Sequence, residues 1–216
     1  MASFSGLDNN PAYTENGARV VLDADAVIIG AAGYDGATLV LSRQGGASAN
    51  DVFGDAGGAV ALAEGQVLIT EFGGIGVGDA PVAIGTYVSG EGALAITFNA
   101  DATEARVNAV LGQITYANDS ETPPPSAIID YTFDDGVAPA TGSITVGLTA
   151  ADDPPTIDWL DPGAYYEPGA APVVLAPNIA FSDPDSTTLA QATVSIIFGG
   201  GLAGDILSAD PGATGI

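Results

Sequence analysis

Four stretches of the first 150 residues alternate large apolar side chains with small or polar ones. They are Thr38-Leu39-Val40-Leu41-Ser42, Leu94-Ala95-Ile96-Thr97-Phe98, Ile129-Asp130-Tyr131-Thr132-Phe133 and Ile144-Thr145-Val146-Gly147-Leu148. A period of two turns one face of a strand into a core and the other into water, as in an antiparallel sandwich. Weaker strand candidates lie at 19–22, 67–72, 83–89 and 113–118. Gly, Asn, Asp and Pro punctuate the gaps, as in "GGAS", "GDAGG", "NDSETPPPS" and "DDGVAPATG". One stretch changes period. "DATEARVNAVLGQI" offers Asp101 as N-cap with Glu104 three residues on, then Val107, Val110, Leu111 and Ile114 at helical spacing. This predicts one short helix near 102–112, crossing between strands.

The opening of the pattern returns later in the chain. "AYTENGARVVLDADAVI" aligns with "AYYEPGAAPVVLAPNIAF", pairing Glu15 with Glu167 and Val20-Val21-Leu22 with Val173-Val174-Leu175. Further on, "ATLVLSRQGGASANDVFGDAG" resembles "ATVSIIFGGGLAGDILSADPG", which pairs Asp51 with Asp205. The offset stays within 152–155 residues, and a fixed long period means tandem copies of one domain. The boundary falls at "AADDPP", where two prolines stiffen a short linker. The expected organisation is a β-sandwich repeat at 1–151, an acidic Pro-containing linker at 152–156 and the N-terminal portion of a second repeat at 157–216. That second copy reaches Ile216 after about 60 residues of a unit of about 150. The expectation is therefore an excerpt from a longer repeat array, or a fold that another chain completes. Taken together, the pattern reads as a mainly-β, immunoglobulin-like antiparallel sandwich in tandem.

Charge narrows the partners. The chain has 27 Asp and Glu against Arg19, Arg43 and Arg106, with neither Lys nor His, for a formal net charge of −24. Such a surface repels nucleic acid and anionic lipid. It also opposes compaction unless cations collect among the carboxylates. With no Cys and no His, metal ligands must be oxygens, which suits Ca²⁺ far better than Zn²⁺ or copper. The absence of Cys also rules out a disulfide framework. No apolar run approaches membrane-spanning length, so membrane insertion is not expected; Met1-Ala2-Ser3 does not open a signal peptide, so either export uses another signal or the chain is an excerpt from something longer.

Acidic residues gather around the repeat boundary. Asp152 and Asp153 lie in the linker, Asp183 and Asp185 form "SDPDS" in the second copy, and Glu15 lies on the first strand of copy one. Asp119 and Glu121 sit in "NDSETPPPS". With these motifs, and with "QITYANDSETPPPSAIIDYTFDDG" and "GGASANDVFG", the sequence resembles the cadherin-like repeats of large bacterial surface and secreted adhesins. The resemblance implies Ca²⁺ between successive domains of one chain, at an extracellular or cell-surface location. It makes Glu15 the first-strand ligand, Asp119 and Glu121 the acidic loop, Asp152 and Asp153 the acidic linker, and Asp183 and Asp185 the D-x-D pair. Asp134 in "FDDG" then matches the D-x-G element that faces a preceding domain. Copy one carries Ile29-Gly30-Ala31 where copy two has "SDPDS", so Asp23, Asp25 or Asp35 would have to stand in there.

Catalysis has little material. Without His, Cys or Lys, triads and Schiff bases are excluded, and no aromatic cluster marks a cleft for a carboxylate-catalysed glycosidase. The chain reads as a non-catalytic, Ca²⁺-rigidified spacer whose partners are adjacent repeats. Two other readings stand beside it. One is a carbohydrate- or protein-binding module using Trp159 or the loops 54–60 and 73–81. The other is a self-associating filament or surface-layer subunit completed by strand exchange with a neighbour.

Overall fold

The computed structural model describes residues 1–70, 81–160, 163–196 and 204–208, so most of the 73–81 loop lies outside the described residues. Contacts divide the chain into two units, Met1–Asp152 and Asp153–Ile216. Unit 1 contains β1 (Ser3–Ser5), β2 (Ala12–Thr14), β3 (Val20–Val21), β4 (Val27–Ile29), β5 (Thr38–Arg43), β6 (Asp51–Asp55), β7 (Val60–Ala63), β8 (Gln66–Ile69), β9 (Val82–Gly90) and β10 (Ala93–Phe98). The helix α1 (Glu104–Leu111) comes next, then β11 (Ile114–Asn118), β12 (Ser126–Asp134) and β13 (Ala140–Thr149). Unit 2 contributes β14 (Thr156–Asp158) and β15 (Ala180–Ser182). The molecule is mainly β, as the alternating pattern predicts.

Unit 1 is built from an eight-stranded sheet in the order β2-β13-β12-β5-β10-β9-β8-β7, a three-stranded sheet β3-β11-β6 and the pair β1-β4. Pairing is antiparallel except between β2 and β13, which run parallel with Ala12 opposite Gly147 and Thr14 opposite Thr149. Alternation places Leu39 and Leu41, Leu94 and Ile96, and Ile129, Tyr131 and Phe133 on the buried face of the large sheet. Phe53, Ile114 and Tyr116 from the small sheet join the same core. Phe53 and Tyr13 meet the Tyr116 ring edge-on, with centroids 5.7 and 6.4 Å away. Residues of this class stabilise by about 1.5–3 kcal/mol each when fully buried.

The helix starts two residues later than its sequence signal suggests. Its N-cap is Thr103, whose hydroxyl accepts from the Arg106 N–H at 3.4 Å, in place of Asp101. The Asp101 N–H is instead held by the Asn99 side chain at 2.9 Å. Val107, Val110 and Leu111 are buried, which fixes the inward face as the spacing predicts. Asn108 ties the helix to β4: its side-chain oxygen accepts from Ile28 N–H at 2.8 Å, and its amide donates to Ile28 C=O at 3.4 Å.

The two units repeat one local geometry. In unit 1, Ser3, Phe4 and Ser5 stand opposite Ile29, Ile28 and Val27. In unit 2, Thr156, Ile157 and Asp158 stand opposite Ser182, Phe181 and Ala180. Each of these six positions is displaced by 153 residues from its counterpart. The turn that carries "TENG" shows the same displacement. Gly17 N–H donates to Thr14 C=O at 2.9 Å, with Asn16 at φ 58°, while Ala170 N–H donates to Glu167 C=O at 3.0 Å, with Gly169 at φ 85°. Pro168 and Gly169 occupy the positions a type II turn favours for those residues. By this geometry Glu15 corresponds to Pro168, and the sequence pairing of Glu15 with Glu167 is displaced by one residue.

Candidate functional site

Glu15 lies just beyond β2, in the turn rather than on the strand. Its N–H donates to Thr149 C=O at 2.9 Å, extending the β2–β13 pairing by one bond. Its side chain then turns back, and Oε2 accepts from the Ala151 N–H at 2.9 Å. The residue is only 5% exposed, and Oε1 is buried with no hydrogen-bond partner among the described residues. A buried, unpartnered polar atom costs about 1–3 kcal/mol, and more when it belongs to a charged group. Water or a cation would relieve it.

Glu15 borders a cavity of about 350 Å³ shared with Arg19, Asn118, Asp119 and Glu121. The Glu15 and Glu121 carboxylates have oxygens within 4.8 Å of each other. Asp119 lies just past β11 and is fixed by its N–H, which donates to Asn50 C=O at 2.8 Å. The structure therefore brings together Glu15, Asp119 and Glu121, three of the sequence-derived candidates. Arg19 contributes one positive charge against these three carboxylates. Its guanidinium lies over Gly54, where an added Cβ would stand 2.5 Å from Nη1. Crowded oxygen donors with one unsatisfied atom are the chemistry of a hard-cation site.

Asp152 closes unit 1, one residue beyond the Ala151 amide that holds Glu15. Asp134 stands opposite Thr38 at the end of β12 far from the Ser126–Gly147 pair, and its Oδ1 accepts from Gly136 N–H at 2.8 Å. In unit 2, Asp153 N–H donates to Asp185 Oδ2 at 2.6 Å, and Asp183 Oδ1 accepts from the N–H groups of Asp185 and Ser186 at 3.0 and 2.8 Å. Asp153, Asp183 and Asp185 thus form one local hydrogen-bonded group.

A second acidic group, Asp8, Asp23 and Asp25, also has carboxylate oxygens within 4.8 Å of one another, while Asp35 is not among them. Asp8 gave no sequence signal, because it meets Asp23 only through folding. Asp23 uses both oxygens on backbone donors: Asp8 and Asn9 to Oδ2 at 3.0 and 2.9 Å, Asp25 and Ala26 to Oδ1 at 3.2 and 3.0 Å. Burial pushes its acidity towards the neutral form, but these bonds outweigh it and hold the carboxyl below the usual range. The hydrogen bond and negative charge of Asp23 raise Asp25. This carboxylate fixes a turn.

Beside the cavity, Asn118 leads into a buried polar network with no motif to announce it. Arg43 pairs with Asp51 through Nε–Oδ2 and Nη2–Oδ1 contacts of 2.7 and 2.6 Å. The Tyr116 hydroxyl donates to Asp51 Oδ1 at 2.5 Å, and the Asn118 amide at 2.8 Å. Burial alone would raise the Asp51 carboxyl, yet the bonds from Arg43, Tyr116 and Asn118 bring it below its ordinary value. Burial and the Asp51 charge together push Tyr116 far up. Residues from β5, β6 and β11 are thereby fixed to one another next to the cavity floor.

Among the described residues no helix is long and apolar enough to cross a membrane. No family model, no curated protein and no solved structure matches the chain.

Proposed function

We propose that the chain is a non-catalytic, calcium-binding structural repeat, an immunoglobulin-like, cadherin-like sandwich in tandem, that stiffens a long bacterial cell-surface or secreted adhesin. The observation that carries this reading is Glu15: a carboxylate 95% removed from solvent, with Oε2 engaged by Ala151 and Oε1 unpartnered, beside Asp119 and Glu121. Ca²⁺ accepts six to eight oxygens, and carboxylates of this density repel one another without it. Glu15, Glu121 and Asp119 would hold the ion, with Asp152 the nearest acidic residue along the chain to Ala151. Bound metal would supply charge neutralisation and a fixed geometry. The 153-residue displacement of the β1–β4 pair and of the turn after it supports the tandem reading.

Calorimetric titration of the whole chain with CaCl₂ tests the proposal. Saturable binding that weakens at least tenfold in Glu15→Gln is expected. Absence of binding at millimolar CaCl₂, or identical isotherms for both proteins, defeats it.

A further inference from the structure

The 153-residue correspondence reveals a difference between the units as well as a likeness. In unit 1 the first thirty residues are covered by elements from the 101–150 segment. Ile28 is hydrogen-bonded to Asn108 of α1, Leu22 N–H donates to Ile114 C=O at 2.9 Å, and Phe4 meets the Tyr131 ring edge-on at 6.0 Å. Gly142 on β13 has no side chain, so Leu7 and Phe4 lie directly against its backbone. Leu22 and Ile28 are consequently 0% exposed.

Their counterparts in unit 2 keep the apolar chemistry but are exposed among the described residues. Leu175 stands for Leu22 and Phe181 for Ile28, and they are 50% and 44% exposed. Ile157 stands for Phe4, Leu160 for Leu7 and Ile179 for Ala26, and all three are exposed as well. The hairpin register is already the one that unit 1 uses beneath its cover. Exposed apolar side chains gathered on such a hairpin mark a docking site.

We propose that this face of unit 2 receives a polypeptide segment of the kind that residues 101–150 form in unit 1: an amphipathic helix of the α1 type succeeded by strands of the β11–β13 type. The argument for this occupant is the residue-by-residue match to a face whose cover is known. A second whole copy of the chain offers a poorer fit, because its 101–150 segment is already packed within its own unit 1. Docking would bury Phe181 under a helix, Leu175 beside a strand of the β11 type, and Ile157 and Leu160 against strands of the β12 and β13 type. The proposal rests on the tandem part of the proposed function and does not depend on calcium.

Trp159, 76% exposed and flanked by Asp158 and Leu160, is the single tryptophan and gives an emission signal from unit 2 alone. The test appends residues 64–150 of this protein directly after Ile216, the position 153 residues beyond Ala63. Expected results are a blue shift of Trp159 emission, slowed hydrogen exchange at 156–158 and 180–182, and a second cooperative unfolding transition. Phe181→Asp should abolish all three and leave the unit 1 transition in place. Adding the same segment as a separate chain to the 216-residue protein gives an independent measurement, with the same exchange protection expected. Unchanged Trp159 emission and unchanged exchange in both formats overturn the proposal. So does sedimentation showing that the unmodified chain self-associates with Trp159 buried, which would make a second copy the occupant.

Discussion

The N–H of Ala151 donates to Oε2 of Glu15 at 2.9 Å, joining residues 136 positions apart. The last residues of unit 1 thereby orient a carboxylate contributed by its first residues, and leave its Oε1 without a hydrogen-bond partner among the described residues. Calcium at about a hundred times its Kd should stabilise unit 1 by about 2.7 kcal/mol. For a unit of this length that corresponds to a rise in Tm of about 5–10 °C. Melting in CaCl₂ and in EDTA measures it, and superimposed curves would remove the metal from the account.

Arg43 and Asp51 should be more sensitive than a surface pair. The Asp51 side chain is wholly buried and accepts from three different side chains. Asp51→Ala strands the Arg43 guanidinium and the Tyr116 hydroxyl, and a loss of about 3 kcal/mol is expected. Urea denaturation checks this. A loss below about 1 kcal/mol would mean that the network is as weak as an exposed ion pair.

Acid should weaken unit 1 in a defined window. Asp23 and Asp51 have folded-state pKa values below their ordinary range, so below it the unfolded chain binds more protons than the folded one. Their stabilisation is complete above the unfolded pKa of about 4 and falls away as pH drops through the depressed folded values. Asp25, raised by Asp23, acts in the opposite sense at slightly higher pH. Tm measured from pH 6 down to pH 2.5 in a calcium-free buffer should therefore fall mainly below about pH 4, and the fall should shrink in Asp51→Asn.

The helix cap offers a separation of two neighbouring side chains. Thr103→Ala should cost about 1 kcal/mol, the usual loss for an N-cap. Asp101→Ala removes a side chain that does not cap the helix and should cost less than about 0.5 kcal/mol. Equal losses would place the helix start two residues earlier.

These residues also show where the sequence was readable. β5, β10, β12 and β13 are six to ten residues long, so period-two alternation had room to declare itself. β1 and β4 have three residues each, too few for any period, and they emerge only through their partnership. β6 contains Gly54 and ends in Asp55, residues that read as a turn, yet Gly54 gives Arg19 room beside it. Asp101 with Glu104 satisfies the capping pattern, yet the backbone geometry selects Thr103, which has Arg106 three residues on. Glu15, Asp119 and Glu121 were singled out by the family resemblance, and only the fold shows that they line one cavity. The Asp51–Asn118 contact spans 67 positions, and neither residue carries a local signal for it. The one-residue slip between Glu15 and Glu167 has a similar cause, since identical letters outweighed the turn geometry that aligns Glu15 with Pro168.

The parallel registry of β2 with β13 has a mechanical consequence. A pull applied to the two ends of unit 1 draws Ala12–Thr14 and Gly147–Thr149 in opposite directions along a shared axis. Their interstrand bonds are then loaded together in shear, whereas an antiparallel hairpin opened from its free end yields one bond at a time. A module wired in this way resists stretching at its own seam, whatever ion sits nearby.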